Sequence, residues 1–247
     1  MIVIMFLMAM VMEIIDSSLG MMYGTLLSPM FIIMGFSPLV VVPAILISQA
    51  IGSISGTIFH HKKKNADFWG LTKHTKIVLA VVAPGIAAVT LGAFIALSIP
   101  ALWVKTYIGM LVIAMGFLCI AKYSYKFRWW KMYFIGALSA FNKALSGGGF
   151  GPVTSTGKII GGLGGRVSVA TTTYAEVPIC LLGFLFYFLL SGMPDMLFTT
   201  ILCTGAFFGG LIGPFICTKM DCALVRKIVG VLSIVSGIWI IANIFIW

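Results

Sequence analysis

Residues Asn142 to Gly162 read NKALSGGGFGPVTSTGKIIGG, and the reading of the whole chain turns on this stretch. It lies within 131–163, where a short apolar segment runs into a polar, glycine-rich break at Asn142–Gly149 and a second short segment leaves it. One crossing of the hydrocarbon takes about 20 apolar residues in a row, which neither arm supplies. Residues 1–35 have the same design around DSSLG at Asp16–Gly20. Two broken elements in one chain call for an explanation in the rest of the sequence.

The rest is apolar: of 247 residues, 61% are hydrophobic and 9% charged, with a mean hydropathy of +1.14. Soluble domains sit near roughly 50% and 25%, so a water-soluble globular protein is excluded. The apolar character is spread along the chain, so a cleaved leader is not its source and no separate soluble domain is expected. Six runs have the length of a membrane span, at about 36–59, 77–99, 104–121, 167–190, 196–218 and 228–246. The net charge of +10 comes from basic clusters between these runs, which fits membrane orientation and not nucleic-acid binding.

The clusters fix which way the spans point. If 131–163 enters the membrane, breaks and returns, fourteen of the sixteen Lys and Arg fall on one side, Lys105 alone on the other, and Lys143 inside the membrane. A full crossing would split them nine to six, so the re-entrant reading is adopted and the basic side is cytoplasmic. By the same logic 1–35 dips in from the opposite side, with both termini outside the cell in a multi-pass plasma-membrane protein.

A shift of 127 positions aligns 16–59 with 143–186 without a gap and matches Gly20 with Gly147, Gly24 with Gly151, Gly35 with Gly162 and Gly56 with Gly183. A shift of 121 aligns 104–117 with 225–238. The predicted fold is an all-α membrane protein of two inverted repeats, 1–121 and 131–247, joined by a basic linker at 122–130. Each repeat has one broken re-entrant hairpin and three spans. An odd number of crossings inverts the second copy, and inverted repeats with broken helices are the usual construction of secondary transporters.

Irregular backbone at membrane depth needs protein or water to satisfy it. Ser146, Gly147, Gly148 and Gly149 precede a short helix whose free N–H groups and dipole favour an anion, and Lys143 lies one turn upstream. Thr154, Ser155 and Thr156 add hydroxyls. The first copy offers Ser17, Ser18, Gly20 and Tyr23 ahead of a half-helix at about 22–34. A lone intramembrane charge costs about 2.5–3.5 kcal/mol on insertion scales, so Lys143 calls for partners.

Three of the six acids are intramembrane: Glu13 and Asp16, spaced to share a helix face, and Glu176, with Gln49 at the matching position of the first copy. Three carboxylates against one lysine would leave a net −2 where an anion binds, so a proton or cation must neutralise at least one of them. Glu13, Asp16 and Glu176 are therefore the coupling candidates. Lys143, Ser146, Gly147–Gly149, Thr154, Ser155, Ser17, Ser18, Gly20, Tyr23 and Gln49 are the substrate candidates.

The remaining polar features have plainer readings. His60, His61 and His74 lie in or near HHKKK and read as interfacial anchors to lipid headgroups. Cys119, Cys180, Cys203, Cys217 and Cys222 contain no CxxC pair and read as small apolar residues. No metal site and no cofactor is expected.

LSGGGFGPVTSTGKIIGG at 145–162, LGMMYGTLLSP at 19–29 and HHKKKNADF at 60–68 together resemble the TauE/SafE family of membrane proteins, over the whole chain. The first copy departs from the second in lacking the GGG run. The resemblance implies export of a small sulfur oxyanion such as sulfite, or of an organosulfonate, driven by an ion gradient. Partners would be that anion and membrane lipid, with a homo-oligomer left open. An anion channel and a cysteine-dependent sulfur-transfer protein are the alternatives. An enzyme is not expected, since no nucleophile lies beside a histidine.

Overall fold

In the computed structural model, residues 2–96, 101–121 and 126–242 are described, and they fold into ten α-helices. The first half comprises α1 (Ile2–Leu19), α2 (Tyr23–Ile33), α3 (Pro38–Lys62), α4 (Lys73–Ala96) and α5 (Ala101–Ile120). The second comprises α6 (Trp129–Ser146), α7 (Phe150–Ile160), α8 (Gly165–Ser191), α9 (Met196–Lys219) and α10 (Cys222–Ala242). The halves share one order of lengths, including an 11-residue helix in second place. The six expected spans correspond to α3, α4, α5, α8, α9 and α10. Residues 97–100 and 243–246 at their ends, and 122–125 of the linker, lie outside the described residues.

Both breaks are narrower than the sequence suggested. α1 continues through Asp16, Ser17 and Ser18, leaving only Gly20–Met22 as the interruption, and α6 continues through Ser146, leaving Gly147–Gly149. The serines remain helical because their hydroxyls turn back on α1: Ser17 donates to Glu13 Oε1 and Ser18 to the carbonyl of Ile15. The leading arms are also not halves. At 18 residues each, α1 and α6 are about 27 Å long, close to the thickness of the hydrocarbon. α1 stands among five helices long and apolar enough to cross a membrane.

Close packing through glycine sets the helix directions. Gly205, Gly209 and Gly213 of α9 meet Phe6, Met10 and Ser17 of α1 in turn, so these two helices run parallel. α2 doubles back: Phe31, near its end, and Phe36 just beyond it bring their rings 5.0 and 4.8 Å from that of Phe198, beside the end where α1 begins. In the second half Gly85 and Gly92 of α4 meet Ala140 and Ala144 of a parallel α6, and α7 returns along it with Gly157 against Ile135. Each half thus opens with a helical hairpin.

Matched helices of the two halves pack against each other in antiparallel pairs. In α3 and α8, Leu46 faces Gly183 and Gly56 faces Thr173. In α5 and α10, Gly109 packs on Gly237 and Gly116 on Gly230. The 121-residue shift carries 109 to 230 and 116 to 237, so it exchanges these two contacts, as a two-fold axis would.

The bundle exposes large apolar side chains and buries charged ones within an otherwise apolar core. Leu79, Ile86 and Phe94 of α4, and Phe207 and Phe208 of α9, are exposed, whereas Glu13, Asp16, Lys143 and Glu176 are buried. That inverted distribution suits a lipid surround. The helix ends carrying Lys62, Lys73, Lys131, Arg166, Lys219 and Lys227 gather at one end of the bundle. Lys158 departs from the expected tally: α7 is buried along its whole length, and Lys158 with it.

Candidate functional site

The two hairpin tips interlock. Gly149 N donates to Thr25 Oγ1 at 3.1 Å, Ser28 Oγ to the Ser146 carbonyl at 2.9 Å, and Ser155 Oγ to the Gly20 carbonyl at 2.9 Å. The contacts are reciprocal under the 127-residue shift: Gly24 abuts the Gly147 carbonyl, and Gly151 abuts that of Gly20. A side chain at Gly24 or Gly151 would have to occupy the space of the other tip's backbone.

The tips also share a backbone conformation with different residues. Gly147 and Gly149 have φ of 73° and 77°, and Gly20 has 76°. At the position matching Gly149 stands Met22, with φ 112°. This left-handed region costs a non-glycine residue about 1–3 kcal/mol, and the buried packing of Met22 holds it there. The GGG run missing from the first copy is thus replaced by a strained methionine that makes the same turn.

Behind the tips lies a buried polar centre. Gln49 of α3 is its hub: Nε2 donates to Asp16 Oδ2 at 3.3 Å and to Glu176 Oε1 at 3.0 Å, and Oε1 accepts from Lys143 Nζ. Gln49 and Glu176 are matched positions under the 127-residue shift, and they bond each other directly. Asp16 and Lys143 are matched as well, an acid facing a base across the same centre. Tyr23 donates its backbone N–H to Asp16 Oδ1 at 3.0 Å and its hydroxyl to Ser48 at 2.8 Å. Glu13 accepts from Ser17 through Oε1 at 2.8 Å, while its Oε2 has no partner among the described residues. Asn142, next to Lys143 in the chain, has both side-chain polar atoms buried and without partners among the described residues.

The centre therefore unites Glu13, Asp16, Ser17, Tyr23, Gln49, Lys143 and Glu176, with Gly20 and Gly147–Gly149 in the tips. Ser146 caps its own turn, donating to the carbonyl of Asn142 and accepting from Gly148 N. Ser18 turns away to α1, and Thr154 and Ser155 lie along α7. One expectation changes in kind: the start of α2 already holds an anionic group, the Asp16 carboxyl, so it is not an open cradle.

Two residues of consequence had other readings in the sequence. His60 is not an interfacial anchor. It is fully buried, with Nδ1 taking a hydrogen bond from Asn65 Nδ2 at 3.0 Å and Nε2 donating to the Ser17 carbonyl at 2.8 Å. Asn65 also bonds the Pro214 carbonyl and Thr218, which ties the loop after α3 to α1 and α9. The signal was a polar stripe on α3, where Gln49, Ser53, Gly56 and His60 recur at helical spacing. Lys158, counted as cytoplasmic, instead donates to Thr171 and Thr172 of α8 at 3.1 and 3.2 Å. His61 stacks on Trp69, and His74 accepts from the backbone of Asp67.

Known proteins give this arrangement a context. Over 154 residues the chain is 26% identical to a Bacillus subtilis (strain 168) protein described as probable membrane transporter protein YtnM. The match takes in 58% of this chain and 49% of that protein, so the chain spans about half the length of the curated relative it matches. No solved structure matches. The profile of the family described as Sulfite exporter TauE/SafE matches residues 5–240, which takes in both hairpins and part or all of every helix around them. The chain is a multi-pass membrane protein, and it belongs to the TauE/SafE family.

Proposed function

We propose that the protein is a secondary transporter that exports a small sulfur-containing anion, such as sulfite or an organosulfonate, across the plasma membrane in exchange for the energy of a proton or ion gradient. The observation that carries this reading is the position of Lys143: a buried cation, held by Gln49, where two hairpin tips meet among three buried acids. Intramembrane charges of this kind mark substrate and ion pathways. Asn142, next to Lys143 in the chain and with no partner for its amide among the described residues, is in place to bond a bound anion.

The architecture behind the proposal is a pair of inverted repeats. The matched lengths, the antiparallel pairing of α3 with α8 and α5 with α10, and the exchanged glycine contacts support it. The gathering of basic residues at one end supports a cytoplasmic face there and termini on the other side. All residues of the centre are buried, so substrate reaches it through a second conformation, as alternating access requires. Binding an anion among Glu13, Asp16 and Glu176 requires at least one positive charge to join them, and a proton taken up with each cycle provides it. The same acids weigh against an always-open anion channel.

The test is anion flux in proteoliposomes. Lys143→Ala is expected to leave folded protein in the membrane while lowering sulfite flux by roughly a hundredfold, the loss of a charge-assisted contact in a water-poor site. Wild-type flux in that variant would remove the proposed substrate site.

A further inference from the structure

Lys158 lies outside the centre, and its surroundings have the opposite chemical character. Its ammonium group donates to Thr171 Oγ1 and Thr172 Oγ1, and its third hydrogen has no acceptor among the described residues. Thr172 Oγ1 lies 3.1 Å from Ser155 Oγ, whose single hydrogen goes to the Gly20 carbonyl, so Thr172 donates to Ser155 while accepting from Lys158. One turn before Lys158 on α7, Thr154 has a buried hydroxyl with no partner among the described residues. One turn before Thr172 on α8, Ser168 has another. No carboxylate among the described residues comes within 4 Å of the lysine.

The accounting is one-sided. Up to three buried donors lack acceptors here among the described residues, and no carboxylate oxygen is open, whereas the centre has a spare acceptor in Glu13 Oε2 as well as the open amide of Asn142. An acceptor-only group with several oxygens would complete the Lys158 cluster, and a cation or an amine would not. We propose that Lys158, Thr172 and the flanking hydroxyls of Thr154 and Ser168 form a second oxyanion station on the transport path, separate from the acid-rich centre. The station lies toward the basic end of the bundle, because α7 ends and α8 begins there. Glu176 stands one turn further along α8 from Thr172, so the station adjoins the centre along that helix. The anion and the neutralising charge would then be bound by neighbouring groups of residues and not compete for one.

This inference rests on the reading of the chain as an oxyanion transporter. Its test is heat unfolding of the purified full-length protein in detergent, with sulfite and sulfate as probes, since a ligand bound only to the folded state raises its stability. Lys158→Met is expected to raise the half-saturating anion concentration by about tenfold or more, the loss of a charge-assisted hydrogen bond. Without anion it is expected to melt no lower than wild type, because it removes a buried charge lacking an ionic partner. Thr172→Val, the smaller change for use if Lys158→Met does not fold, is expected to weaken binding by about threefold. Unchanged anion response in both variants, or in Thr172→Val alone where Lys158→Met yields no folded protein, overturns the station. If Lys143→Ala loses the response under those conditions, the transporter reading survives without it. A wild-type protein that neither anion stabilises overturns both.

Discussion

The two halves of the molecule make the same turn with different chemistry. At the first tip Met22 holds a left-handed backbone conformation and Asp16 satisfies the start of α2; at the second, Gly149 makes the turn without strain and the position of Asp16 is taken by Lys143. Gln49 and Glu176 repeat the lesson, an amide bonded to the acid that matches it. Backbone geometry is duplicated where the tips must interlock, and side-chain charge is not. A symmetric centre would set like charges against each other at short range, whereas this one sets acid against base and bridges them with a neutral amide.

The largest effect is expected where the duplicated geometry is broken. Gly24→Ala would put a methyl group into the Gly147 carbonyl of the other tip, a clash with backbone, and would also crowd the ammonium group of Lys143. A loss of about 3 kcal/mol or more of stability is expected, read as a fall in melting temperature and in folded yield. An unchanged melt would mean that the tips can separate without cost. Lys143→Ala comes next, removing flux but not fold. The smallest effect belongs to the cysteines. Cys180 and Cys203 are free thiols outside the hydrogen-bonded centre, so a chain with all five cysteines replaced by alanine or serine is expected to keep flux within about threefold of wild type. Loss of function there would favour sulfur relay over electrostatic binding.

What the sequence disclosed follows from what periodicity and charge can carry. The hairpins were legible because glycine and polar residues interrupt the apolar runs, although the leading arms α1 and α6 proved longer than the sequence suggested. The 127-residue shift was legible because glycine contacts constrain both copies, and its pairing of 49 with 176 marks two side chains in contact. The limits of the breaks were not, since Ser17 and Ser18 look like helix breakers until their hydroxyls are seen to bond within α1. Lys158 was misplaced for a similar reason. It lies two residues from the end of a short helix and beside glycines, where charge counting reads a flanking lysine, and only tertiary contact with α8 reveals its hydroxyl partners. The capping of α2 by Asp16 was equally hidden, because it joins residues on opposite sides of a turn whose geometry depends on Met22.

The central claim is that a buried, charge-asymmetric centre couples anion movement to a gradient. The direct measurement is sulfite transport in proteoliposomes with an imposed pH difference and no initial sulfite gradient, for wild type and for Glu176→Gln. Wild type is expected to build a sulfite gradient whose direction follows the pH difference. Glu176→Gln, which removes a buried acid held by Gln49, is expected to build a gradient at least about threefold smaller while still allowing downhill flux. Sulfite movement in wild type that ignores the pH difference, or a Glu176→Gln protein that pumps as well as wild type, would contradict that claim.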